Sequence, residues 1–87
     1  MSNQSAQHPI HAGGVVEVTG EVEVKTGLRD LQAYGASFVG APVAGAAFLH
    51  VEKSIVGGNA VLTIKVLTDA YAASSTAIDV SWNALGK

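Results

Sequence analysis

The chain has no cysteine. No disulfide, no Cys-based zinc site and no thiol nucleophile can be built from it. Charge is scarce as well: Lys, Arg, Asp and Glu make up 14% of the 87 residues, against roughly 25% in an average globular protein. The five cations are scattered and the formal net charge is −2. That excludes the clustered Lys and Arg side chains whose counterion release drives nucleic-acid binding. No apolar run reaches the ~18 residues of a membrane span before Gly, Pro, His or a charge interrupts it. The opening MSNQSAQHPIHAGG is polar and lacks the basic-then-apolar order of a secretion signal, so synthesis in a cytoplasm is expected.

What the chain does have is small apolar residues. Hydrophobic residues are 48% of the sequence, alanine supplies 14 of them, and there are 10 glycines. A chain of this length buries only ~60–65% of its unfolded surface, which makes a lone monomer marginal. With so few charges it cannot coat its own surface. Part of that surface is therefore expected to be hidden against another subunit.

Residues 1–14 show no apolar periodicity and end in Ala12-Gly13-Gly14, so they read as an extended N-terminal arm, with residues 15–87 a single domain. From Val15 to Lys25 the pattern alternates. Val16, Val18, Val22 and Val24 share one parity, and Glu17, Thr19, Glu21, Glu23 and Lys25 the other. Period two predicts a strand with one wet face. A hairpin at Thr19-Gly20 would mix charged and apolar residues on each face, so one long strand with Gly20 as a kink or bulge is the better reading. Arg29 to Val39 is apolar or small on both parities, which predicts a strand covered on both faces. Gly40 to Gly45 reads as a loop, and Ala46 to Val56 as the next strand. Gly57-Gly58-Asn59 is a tight hairpin turn leading to a strand over Ala60 to Thr68. Residues 67–77 form no more than a turn. Ala77 to Ala84 closes the domain, with Ile78, Val80 and Trp82 inward. The sum is an all-β antiparallel β-sandwich of five to six strands.

Chemistry-bearing residues are sparse. Glu17, Glu21 and Glu23 lie on the wet face of one strand, where carboxylates ordinarily solubilise. His8 and His11 flank Pro9-Ile10, which argues against a helical metal pair, and no acid adjoins them. No serine sits in a nucleophile elbow, and Gly57-Gly58 lacks the Lys-Ser of a phosphate loop. The reading is non-enzymatic, with no catalytic, cofactor-binding or metal site. In the arm, Gln4, Gln7, His8, Pro9, Ile10 and His11 are the candidate partner contacts. Of the five aromatics, Tyr71 lies in a polar loop and is the candidate contact for a glycan or a protein pocket.

Val80-Ser81-Trp82-Asn83-Ala84-Leu85-Gly86 resembles the closing strand of H-type lectin-like domains, which end in Trp-x-Ala-x-Gly. Thr26-Gly27-Leu28-Arg29-Asp30-Leu31 is similar to the turn and second strand of their short phage and bacterial relatives. The resemblance runs over roughly residues 14–86. It implies a six-stranded antiparallel sandwich that assembles as a trimer, in small stand-alone form among phage virion proteins. None of the lectin's sugar-contacting residues transfers to a position here. Together these readings point to a trimeric virion protein that decorates or cements a capsid. Its expected partners are other copies of itself and the major capsid or another virion protein. A carbohydrate-binding module of a tail fibre, or a free lectin, is the alternative.

Overall fold

The computed structural model describes residues 10–87 and is all-β. Six strands appear in order: β1 (Ile10–Val18), β2 (Glu21–Lys25), β3 (Leu31–Phe38), β4 (Phe48–Val56), β5 (Asn59–Leu67) and β6 (Ile78–Gly86). They form two three-stranded antiparallel sheets. Sheet A has the order β1-β6-β3, and sheet B the order β2-β5-β4. β5 and β6 are the central strands, and each sheet therefore has two open edges.

Residues 10–14, assigned to the arm on sequence, are the first half of β1. Ile10 pairs with Gly86 and Gly14 with Trp82. Ladder hydrogen bonds are made by the main chain, so a segment with no side-chain alternation can still enter a sheet. Residues 1–9 lie outside the described residues.

The Val/Glu alternation holds across β1 and β2, with the valines turned to the core and the glutamates exposed. The single long strand is nevertheless divided. β1 pairs with β6 and β2 with β5, so the chain changes sheets at Thr19-Gly20. Gly20 makes the step at φ +84°, and its carbonyl accepts the Val66 N–H at 2.7 Å. That left-handed angle is open to glycine at little cost.

β3 departs from expectation in two ways. A bulge between Leu31 and Ala33 inverts its parity, so that Leu31 and then Ala36 and Phe38 face the core. Ala33, Ser37 and Val39 are exposed. Within one chain, then, only one face of β3 is covered. β4 begins at Phe48 rather than Ala46, because Ala46 closes a tight bridge with Val43 instead of joining the ladder. The β4–β5 hairpin turns on Gly57 and Gly58, at φ +61° and +83°, with Val56 opposite Asn59. Two consecutive positive φ angles define the primed turn that suits strand twist.

The core is the space between the sheets. Val18, Ala46, Ile64, Val66 and Val80 fill one half, and Leu28, Leu31, Ala60, Leu62 and Ala84 the other. Trp82, Val24 and Val51 pack against both halves, so the indole spans the junction that its inward parity predicts. The loop before β3 is tied in by Thr26, whose buried hydroxyl donates to the Ala60 carbonyl at 2.8 Å and accepts the Leu28 N–H at 3.1 Å.

Candidate functional site

Strand register sorts the outward side chains into two unlike faces. On sheet B, Glu21 stands opposite Lys65, which stands opposite His50; in the next row Glu23, Thr63 and Glu52 are aligned. His50 Nε2 lies 2.9 Å from Glu52 Oε1, and Lys65 Nζ 3.8 Å from the same oxygen. The hydrogen bond from His50 first, then the Lys65 charge, holds the Glu52 carboxyl below its usual range. Such exposed ion pairs add little to stability. They do make sheet B a wet surface.

Sheet A is different. Its outward rows read His11–Leu85–Ala33, Gly13–Asn83–Gly35, Val15–Ser81–Ser37 and Glu17–Asp79, with Val39, just past β3, donating its N–H to the Asp79 carbonyl at 3.2 Å. Charge is confined to the last row, where two carboxylates face each other. The other three rows are small, neutral or imidazole-bearing.

At the Phe48 end of sheet B sits the second feature. Tyr71 is 72% exposed and stacks on Phe48, with ring centroids 5.0 Å apart and planes 12° from parallel. Among the described residues, Tyr71 is the only non-glycine with a positive φ, 64°. The left-handed region is costly for a bulky side chain. It persists because the loop is over-determined. Thr68 Oγ1 accepts the Ala70 and Ala72 N–H groups, each at 3.2 Å, and the Thr68 carbonyl accepts the Tyr71 N–H at 2.9 Å. The Thr68 N–H donates to Ala72, and the Asp69 N–H to Ala44. The loop thus presents an aromatic plate on a rigid support. Sequence located Tyr71 but not Phe48, because the stack joins positions far apart along the chain.

Of the predicted arm contacts, Ile10 and His11 are exposed on β1, a sheet's length from Tyr71. Gln4, Gln7, His8 and Pro9 lie outside the described residues. Among the described residues, no three His, Asp or Glu side chains gather as a metal site. Shallow clefts flank the sandwich among the described residues. One of about 390 Å³ lies beside Lys25, Val56, Asn59 and Val61, and one of about 360 Å³ beside Glu17, Val39 and Asp79.

No family model matches the chain, and no curated protein or solved structure is significantly similar to it. The likeness to H-type lectins therefore rests on the short stretches around Thr26–Leu31 and Val80–Gly86. The structure defines a class only at the level of a small two-sheet β-sandwich.

Proposed function

We propose that this chain is a non-enzymatic structural protein of a phage virion: a homotrimer, made in the host cytoplasm, that decorates or cements the capsid. The observation that carries the reading is the segregation of charge. In the three strands of sheet A, only Glu17 and Asp79 are charged, whereas sheet B carries Glu21, Lys65 and His50, then Glu23 and Glu52, then Lys25 across the middle rows of its outer face. A broad neutral face on a low-charge chain is the surface a protein buries against protein. The arm that carries Gln4, Gln7, His8 and Pro9 is the proposed grip on neighbouring capsid subunits, with Ile10 and His11 as its root at the start of β1, and three such grips in one trimer bind by avidity.

The test uses capsids stripped of accessory proteins, titrated with the full chain and with a chain lacking residues 1–9. That deletion stops short of β1. The full chain should saturate the capsids while the truncated one, still folded and associated, should not bind. Saturation by the truncated chain would overturn the role of the arm.

A second reading has its own observation. The Tyr71–Phe48 stack is an exposed, pre-organised aromatic plate of the kind that packs on a sugar ring. A glycan array with the wild type and Tyr71→Ala checks it, and absence of any glycan signal from the wild type would sink it.

A further inference from the structure

An open sheet edge is a row of unpaired N–H and C=O groups, and monomeric proteins blunt such edges with charges, bulges or Pro. The four edges of this sandwich are treated unequally. In sheet B, β2 carries Glu21, Glu23 and Lys25, and β4 carries His50, Glu52 and Lys53. Both are guarded. In sheet A, β1 has no charge from Ile10 to Val16, and β3 has none at all, with a bulge only at its start. Neither edge has a strand partner on its open side among the described residues.

Both unguarded edges belong to one sheet and lie on its opposite sides. β1 and β3 each run antiparallel to β6, so they are parallel to one another. Pairing β1 with a second β1 would leave both β3 edges bare. One contact type covers both: β1 of one copy against β3 of the next. A contact between unlike edges repeats from copy to copy and forms a ring when the rotation between copies closes, an open filament when it does not.

We propose that copies of this chain join in this way, with sheet A continued from copy to copy, its neutral face turned toward the ring axis and sheet B outward. The inference rests on the self-association reading above and names the surface responsible. It accounts together for the two bare edges, the neutral face of sheet A and the charged face of sheet B. Glu17 and Asp79, at one end of the sheet, fall at the rim where water screens them.

The experiment is light scattering on the full chain, alone and as variants. The wild type should show the mass of three chains. Val15→Lys on β1 and Ser37→Lys on β3, both exposed positions, should each lose association while keeping a β-type circular dichroism spectrum. Glu23→Lys on β2 should not. Because the chain has no cysteine, Val15→Cys with Ser37→Cys gives a second readout. A short bismaleimide should link the double variant into covalent trimers and leave each single variant unlinked. Dimers from Val15→Cys alone would show like-with-like pairing and overturn the proposal. An associated wild type whose Lys variants still associate and whose double-Cys variant does not link would overturn it too, leaving self-association intact. A wild type monomeric at every concentration would remove the self-association reading, and this inference with it.

Discussion

Gly86→Ala tests the packing at the end of sheet A. Gly86 is buried on the central strand, paired with Ile10 on one side and Leu31 on the other. A Cβ there would land on the Asp30 carbonyl oxygen, with the Asp30 carbonyl carbon and Leu31 Cα next nearest. All three are main-chain atoms, and no rotamer change relieves the clash. Relief requires the 29–31 segment to move. That segment is held by Arg29 and Asp30 N–H groups donating to the Lys87 carbonyl at 2.6 and 3.1 Å, and by the Lys87 N–H donating to the Asp30 carbonyl at 3.1 Å. Overpacking costs about 1–3 kcal/mol, and each weakened hydrogen bond about 0.5–1.5 kcal/mol. A loss of about 3 kcal/mol is expected, and at ~4–8 °C per kcal/mol for a domain of this size the melting temperature should fall by about 12–24 °C. Gly40→Ala is the matched control, since a Cβ there meets nothing within 4 Å and the φ is not left-handed. It should be neutral, or stabilising by up to ~1 kcal/mol through the unfolded state. Differential scanning calorimetry of both variants decides. A Gly86→Ala melt within about 3 °C of the wild type would refute the reasoning.

Leu62→Ala removes one of the largest fully buried side chains and should cost about 2–5 kcal/mol in urea unfolding. Thr26→Val keeps the shape but leaves the Leu28 N–H without the hydroxyl that accepts it, and should cost about 1–3 kcal/mol by the same assay. The Asp30 carboxyl is held below its usual range, first by the hydrogen bond from the Leu31 N–H at 2.8 Å and then by the Lys53 charge. A lowered folded-state pKa contributes stability above the unfolded carboxylate pKa, and that stability is lost as pH falls through the folded value. Thermal melts from pH 6 down to pH 2 should therefore show a shallower acid loss in Asp30→Asn than in the wild type; parallel curves would count against the pairing.

Much of the fold was legible in the residues themselves. Alternation placed Val16, Val18, Val22 and Val24 on the core side, and the Gly57-Gly58 turn placed the β4–β5 hairpin, because both signals are local and have one physical solution. Trp82 and its neighbours Ile78 and Val80 were legible for the same reason. The bulge in β3 was not. Leu31 to Val39 is small or apolar on both parities, so no side-chain pattern marks where the register slips, and the slip decides which residues face outward. The division of β1 from β2 was half legible: Gly20 marked the break, while the change of sheet depends on partners more than forty residues away.

The sequence by itself determined an all-β chain with too little charge to cover its surface, since composition and period-two alternation need no tertiary information. Only the tertiary structure decided where that missing charge falls. Register aligned His11, Leu85 and Ala33, and likewise Gly13, Asn83 and Gly35, on one neutral face, and it left the bare edges of β1 and β3 on the same sheet. It also brought Phe48 under Tyr71. These are non-local pairings, set by which strands share main-chain hydrogen bonds, and a linear pattern carries no record of them.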